Sequence, residues 1–261
     1  MPETAKTLVK KLLESKVFRA TAFLVLLVAL WEALFRASLW PPFLFPSPFS
    51  VFDALASGIA DYSVIAAIAG SLKRMFIGYA FALLVGLIIG LMLSRFQILD
   101  DTVGVLMLGL QTLPSIVWLP LAILWFGLSE TAILFVVVMG ALFSITIATR
   151  IGVKNVPKNF LNAGRMLGAT GPSLYFRVII PAALPSIISG MKQGWAFAWR
   201  SLLAGELIFV TVGLGYLLNM GRELNDVSQV MAVMLVIIAI GLVMDKVVFA
   251  RIEKTHYFNQ A

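Results

Sequence analysis

Lys192, Arg200 and Glu206 stand inside the apolar stretch 186–210, where an ionised side chain is the most costly kind of residue. At the middle of a lone membrane helix each would cost roughly 2 to 3.5 kcal/mol. The chemistry open to such groups is electrostatic: a positive field for an anion, an ion pair between helices, or a relay for ions or protons. At 100° per residue, Lys192, Trp195, Trp199 and Glu206 fall within an arc of about 60°, and Arg200 lies about 80° from Lys192. That face must look at protein or water. Arg200, near the centre of the stretch, has little room to snorkel and is read as the group that offers a field to an anion. Trp195 and Trp199 either shape the wall of a passage or pack. Glu206 either joins the lining or pairs with a basic group of another helix, and Lys192, near one end, reads as a snorkelling lysine.

Other chemistries find no residues. The chain has no cysteine and a single histidine, His256, which argues against thiol, iron–sulfur and zinc sites. Gly213-Leu214-Gly215-Tyr216 lacks the lysine of a phosphate loop and Gly168-Ala169-Thr170-Gly171 has the wrong spacing, so the sequence offers no phosphate loop for a nucleotide. No Ser/His/Asp set or carboxylate pair is placed for catalysis, so no catalytic residue, metal or cofactor is assigned to this chain.

The elements that position these side chains are membrane helices. Of 261 residues, 61% are hydrophobic and only 13% charged, with a mean hydropathy of +0.98. About a quarter is the usual charged share, so too little polar surface remains to coat a soluble enzyme. The net charge of +7 does not signal nucleic acid, because Lys and Arg sit at the ends of apolar runs rather than on one solvated face. Six stretches, 17–35, 75–93, 103–126, 131–149, 186–210 and 230–250, approach or exceed the roughly 20 residues a helix needs to cross about 30 Å of hydrocarbon. The first is preceded by lysines, but its apolar core is too long for a signal peptide and Arg36 to Pro41 is a poor cleavage site. The third contains Gln111, Thr112, Pro114, Ser115 and Pro120. Its two prolines free carbonyls, which are tolerated beside protein or a water-filled cavity, so it is expected to border a passage.

Counting positive charges over short loops puts both termini in the cytoplasm, with fourteen of the 20 Lys and Arg on that side and Arg36, Lys73, Arg74 and Arg222 opposite. Asp100-Asp101 and Asp245-Lys246 then read as solvated cytoplasmic ends. Gly86-x-x-x-Gly90 permits close helix packing. Two connections have structure of their own. In the outer one, 40–72, Ser47 caps and Pro48 starts a short helix lying flat, with Phe52, Leu55 and Ile59 on its apolar face. In the inner one, 150–184, Pro157 to Gly168 reads as a short helix with a terminal glycine, Ala169 to Pro172 breaks the chain, and 173–180 forms a second short helix before Pro181 and Pro185. A polar hairpin protruding from a membrane domain is a docking shape.

Asn162-Ala163-Gly164-x-x-x-Gly168, nine residues, then Val178-Ile179-Ile180-Pro181 resembles the EAA loop of permease subunits of binding-protein-dependent ABC importers. That loop reads Glu-Ala-Ala-x-x-x-Gly, nine residues, Ile-x-Leu-Pro; here Asn162 replaces the glutamate and Gly164 an alanine. Phe45-Pro46-Ser47-Pro48, Leu113-Pro114-Ser115-Ile116-Val117-Trp118-Leu119-Pro120, Leu124-Trp125-Phe126-Gly127, Ala204-Gly205-Glu206-Leu207 and Gly213-Leu214-Gly215-Tyr216-Leu217 are similar to the nitrate, taurine, alkanesulfonate and bicarbonate branch.

The resemblance implies an all-α membrane protein with six transmembrane helices, the transmembrane domain of a type I ABC importer with a cytoplasmic coupling-helix hairpin. Segment 1–16 is then cytoplasmic, 17–250 the permease domain with its coupling loop at 150–184, and 251–261 a cytoplasmic tail. The implied partners are a second, identical permease subunit, two cytoplasmic ABC ATPases that bind ATP and magnesium, and a periplasmic or lipid-anchored substrate-binding protein. The setting is the lipid of a bacterial inner membrane, with no nucleic acid. Asn162, Ala163, Gly164, Gly168, Ala169 and Pro181 are the expected ATPase-coupling residues, and Arg200, Trp195, Trp199, Glu206, Gln111 and Ser115 the expected lining of the translocation path. The implied cargo is a small anion, an aliphatic sulfonate first, then nitrate, taurine or bicarbonate. An ATP-independent secondary transporter or channel is the alternative, and it would show inverted repeats, of which the sequence has none.

Overall fold

The computed structural model describes residues 15–209 and 212–253. Lys6, Lys10, Lys11, Lys254, His256, Val210 and most of the segments 1–16 and 251–261 lie outside the described residues. Every element among the described residues is a helix: α1 Lys16–Arg36, α2 Pro48–Ala60, α3 Ser63–Arg95, α4 Gln97–Gln111, α5 Ser115–Phe126, α6 Glu130–Lys154, α7 Lys158–Met166, α8 Gly171–Phe209, α9 Leu214–Glu223 and α10 Val227–Glu253. Of these, α1, α3, α6, α8 and α10 are long and apolar enough to cross a membrane.

The expected third crossing is not one straight helix. Helices α4 and α5 meet at 97° across Thr112-Leu113-Pro114. Pro114 cannot donate to a helix, and its ring forces Leu113 away from the α region; Pro114 itself is extended, with ψ 130°. The break lets the two halves turn rather than run on.

Two further expectations change. Helix α3 begins at Ser63, twelve residues before the expected Met75. Ser71, Lys73 and Arg74 lower the hydropathy there, but Ser71 and Arg74 are buried against polar partners, so the helix continues through them. The expected second short helix, 173–180, is the first part of α8 and not a separate element. A widened π turn at Tyr175–Ile179 precedes Pro181 and leads into the long helix, which continues through Pro185. A π turn keeps the backbone groups paired along the helix, where a break would leave them to find other partners.

In α2, Ser47 accepts the amide of Ser50 at 3.0 Å and Pro48 occupies the first turn, as expected. Its packed face, however, is Val51, Leu55 and Gly58; Phe52 and Ile59 point outward. Positions 51, 55 and 58 share one helical face, and the missing side chain at Gly58 admits Val64.

Helix α6 is the central post, packed between α3 and α8. In its most apolar stretch 61% is buried, whereas none of the corresponding stretch of α1 is. Lipid supplies no hydrophobic drive between helices, so close approach at small residues does the work. The spacing Gly86-x-x-x-Gly90 lies against Ile145 and Thr149 of α6, and Gly190 and Gly194 of α8 lie against Ala148 and Ile145.

A Cβ at position 90 would sit 2.6 Å from Thr149 Cβ and 2.7 Å from the carbonyl of Thr146, so only backbone movement could admit it. Gly90→Val is expected to destabilise by about 1 to 3 kcal/mol through overpacking, seen as a lowered thermal midpoint in detergent; an unchanged midpoint would contradict this contact.

Candidate functional site

The break between α4 and α5 opens a cavity of about 430 Å³ against the middle of α6 and α8. Gln111 and Ser115 flank the break on one side, Ser144 comes from α6, and Phe197, Arg200 and Ser201 from α8. Three of the sequence-predicted lining residues, Gln111, Ser115 and Arg200, are therefore brought together. Residues 197, 200, 201 and 204 recur at the spacing of one helical face, which is why α8 presents all four to the cavity. Arg200 donates from Nε to the carbonyl of Ala196 at 3.0 Å, and its guanidinium carbon lies 5.0 Å from the ring centroid of Phe197. It makes no ion pair among the described residues, and no carboxylate lines the cavity. One cation with serine hydroxyls and an amide nearby is a donor set for an oxyanion. The amide of Gln111 reaches the Ser144 hydroxyl only at 3.5 Å, a length that leaves both groups available.

Glu206 is placed elsewhere, about 120° around α8 from Arg200. It is buried between α8, α3 and the start of α9. Arg74 Nη1 donates to Glu206 Oε1 at 2.9 Å, the Ser71 hydroxyl to Oε2 at 2.7 Å, and the amide of Gly215 to Oε2 at 3.1 Å. Arg74 also donates to the carbonyl of Val212 at 2.7 Å and to Glu130 at the start of α6 at 2.9 Å. The carboxylate is satisfied on both oxygens, as a buried charge must be. A Cβ on Gly213 or Gly215 would come within 2.6 Å or less of Glu206, so the Gly-Leu-Gly spacing is what lets the chain close over the acid. Arg74, expected as an outer-loop charge, is a buried helical residue; its sequence signal was an arginine in register with Ser71 and Gly78 on α3.

Trp195 and Trp199 belong to the main core rather than to the 430 Å³ cavity. Trp195 packs against Tyr79, Phe76 and Phe249 with ring centroids 5.1 to 6.3 Å apart. The indole N–H groups of both have no hydrogen-bond partner. Lys192 is paired, at 2.6 Å, with Asp245 of α10, so neither reads as a simple solvated end.

The hairpin after α6 has a stiff construction. Helix α7 follows Pro157 at its N-cap and ends in a Schellman motif: the amide of Gly168 donates to Arg165 O at 3.0 Å and that of Ala169 to Gly164 O at 2.9 Å. Gly168 holds φ +84°, a left-handed conformation that glycine adopts without strain. Gly164 is the buried contact of α7, facing Val178 and Leu174 of α8. Asn162 and Ala163 are exposed, as are Met166 and Leu167, whose side chains are nearly free of the rest of the chain. Pro181 is exposed on α8. Just before the hairpin, Arg150 and Lys154 at the end of α6 both grip Asp100 of α4, the former through Nη2 at 2.9 Å. Asp100 is buried, not a solvated end, because these two cations converge on it; Asp101 is exposed and accepts from Gln97 at 2.8 Å.

A family model described as the binding-protein-dependent transport system inner membrane component matches residues 82–251. A protein of Methanocaldococcus jannaschii named as an ABC transporter permease is 36% identical over 177 residues, 67% of this chain and 66% of that protein. The nitrate import permease protein of a Synechocystis strain is 24% identical over 94% of this chain and 91% of its own length. Among solved structures, an inward-facing form of the MetNI methionine ABC transporter superposes with a TM-score of 0.65 at 17% identity, covering 75% of this chain and 96% of that one, a likeness that carries the fold alone.

Removing the cation from Glu206 leaves a buried charge uncompensated. Arg74→Met is expected to destabilise by about 3 to 5 kcal/mol, and adding Glu206→Gln, which keeps an acceptor for Ser71 and Gly215, to restore more than half of that. Thermal unfolding in detergent decides it: a single variant as stable as the natural protein, or a double variant no better than the single, would refute the pairing.

Proposed function

The chain belongs to the family of binding-protein-dependent transport system inner membrane components, and from that membership we propose that it is the subunit through which an ATP-driven importer passes a small oxyanion by alternating access. It is an ABC importer permease of the kind whose relatives are named for nitrate, taurine and bicarbonate transport. The observation that carries the cargo class is the cavity at the α4–α5 break, which offers Arg200 and the hydroxyls of Ser115 and Ser144 to an acceptor-only ligand, while Ser201 spends its proton on the carbonyl of Phe197. An aliphatic sulfonate leads, with nitrate, taurine and bicarbonate beside it.

On this reading two copies of the permease assemble with two ATPases, which bind ATP and magnesium, and with a periplasmic or lipid-anchored binding protein. Both termini face the cytoplasm, residues 17–250 form the permease unit, and 1–16 and 251–261 flank it. The coupling residues are Asn162, Ala163, Gly164, Gly168, Ala169 and Pro181. The Schellman end of α7 and the Gly164 contact with α8 support their role, because a short helix fixed at both ends can transmit a push without bending. ATP binding closes the ATPases, α7 moves with them, and the walls of the Arg200 cavity exchange the side that is open. Gln111, Ser115 and Arg200 line that path; Glu206 supports it by holding α8, and Trp195 and Trp199 by fixing its far face.

Two variants test this in proteoliposomes holding the whole assembly. Arg200→Ala is expected to slow anion uptake about tenfold or more, the loss of a charge-assisted hydrogen bond, and an unchanged rate would return Arg200 to a structural role. Gly168→Val, forced into a left-handed conformation that costs about 1 to 3 kcal/mol, is expected to insert normally yet lose stimulation of ATP hydrolysis by the loaded binding protein. Normal uptake in that variant would defeat the lever.

A further inference from the structure

A groove of about 400 Å³ lies between the last turn of α3 and the start of α8, apart from the cavity that holds Arg200. Leu91, Met92 and Phe96 line it from the α3 side, and Pro172 and Phe176 from the α8 side. Its construction is local. Helix α3 ends at Arg95, and Phe96 leaves it extended, with φ −113° and ψ 110° and a half-exposed ring. The Tyr175 hydroxyl meets that of Ser94 at 3.0 Å, and Ser94 donates to the carbonyl of Leu91 at 2.7 Å, so α8 is pinned to α3 at the groove. Depth in the membrane follows from α3. At about 1.5 Å per residue its apolar run, 75–93, rises roughly 28 Å, close to the roughly 30 Å of hydrocarbon. Leu91 and Met92 therefore sit where the hydrocarbon ends, and Arg95, which also lines the groove, follows at the depth of the headgroups. The Arg95 guanidinium carbon lies 5.8 Å from the centroid of the Phe96 ring. Arg95 makes no ion pair among the described residues, and no carboxylate lines the groove. The acids that follow in the chain are committed elsewhere, Asp100 to Arg150 and Lys154, and Asp101 to Gln97.

We propose that this groove is the seat of an anionic phospholipid, which lays an acyl chain against the apolar walls and its phosphate against Arg95. A guanidinium offers two parallel N–H donors to a phosphate, and a cation without a carboxylate at the membrane surface is matched by a ligand that brings both the charge and the apolar tail. A zwitterionic lipid carries an ammonium group of its own, so its net attraction to Arg95 is weaker. The seat also has a mechanical consequence. Leu174 and Val178, the α8 contacts of Gly164 in α7, lie within three residues of Tyr175, so a lipid bridging α3 and α8 here braces the foot of the hairpin.

The assembled transporter in a non-ionic detergent is titrated with dioleoylphosphatidylglycerol or dioleoylphosphatidylcholine, and bound lipid is counted by native mass spectrometry. One phosphatidylglycerol per permease subunit is expected to bind saturably, with an affinity about fivefold or more above that for phosphatidylcholine. Arg95→Gln is expected to weaken the anionic lipid about tenfold, the effect of losing a charge-assisted pair, and to erase the preference, while Arg95→Lys keeps part of it. Arg177→Gln removes an exposed cation of the same segment that does not line the groove, and is expected to leave the preference intact. Equal losses in the Arg95 and Arg177 variants would mean diffuse attraction to a basic end of the molecule and overturn the seat. So would an unaltered preference in Arg95→Gln, or equal binding of sn-glycerol 3-phosphate, which has the phosphate without the tail. Phosphatidylglycerol held by the permease alone but not by the assembled transporter would assign the groove to a contact between subunits and likewise overturn it. None of these outcomes depends on the cargo, so the role of Arg200 stands or falls on its own test.

Discussion

A carboxylate sealed inside an apolar bundle must be paired and hydrogen-bonded, and Glu206 meets that requirement with three donors at once. Arg74 and Ser71 reach it from α3, Gly215 from the start of α9, and Arg74 extends the grip to Val212 and Glu130. Three crossings and the segment that follows α8 are thereby held in one arrangement. The rotation of α8 follows: with Glu206 turned inward to Arg74, the face bearing Phe197, Arg200 and Ser201 is turned to the broken pair α4 and α5. The cavity-facing side of the helix is set by where its buried acid must go.

The other end of the molecule is organised by opposite charges in the reverse arrangement. There a single buried acid, Asp100, draws in Arg150 and Lys154 from α6. Lys154 lies four residues before the start of α7 and Asp100 begins the π turn of α4, so the ion cluster ties the foot of the α7 hairpin to the helix that ends at the cavity. Between these two ionic knots, α6 packs through small residues on α3 and α8, where a displacement of one helix is felt by its neighbours because the interface has no slack.

Much of this was legible in the residue pattern because it depends on local rules. Apolar length marks the crossings, Ser47-Pro48 marks the start of α2, Pro157 and Gly168 bound α7, and the Asn162 to Pro181 spacing carries the family resemblance. Gln111, Ser115 and Arg200 were grouped on the argument that freed carbonyls and buried charge both need a polar cavity, and the fold brings them to the same one. Helical phase alone, however, put Glu206 and the two tryptophans with them. Phase says which residues share a face of α8; it does not say which helix that face meets.

Sequence by itself determined that the chain lives in lipid, that its elements are helices, where most of them begin and end, and that a stiff hairpin interrupts them, since each of these follows from the chemistry of neighbouring residues along the chain. Only the tertiary structure decided that Arg74 is a buried partner and not a loop charge, that Asp100 and Asp245 are gripped by cations, that the expected third crossing turns by 97° at Pro114, and that Arg200 and Glu206 meet different neighbours. Those outcomes depend on pairings across 50 to 138 residues of chain, and a charge carries no mark of the partner that will pair with it until the helices have packed.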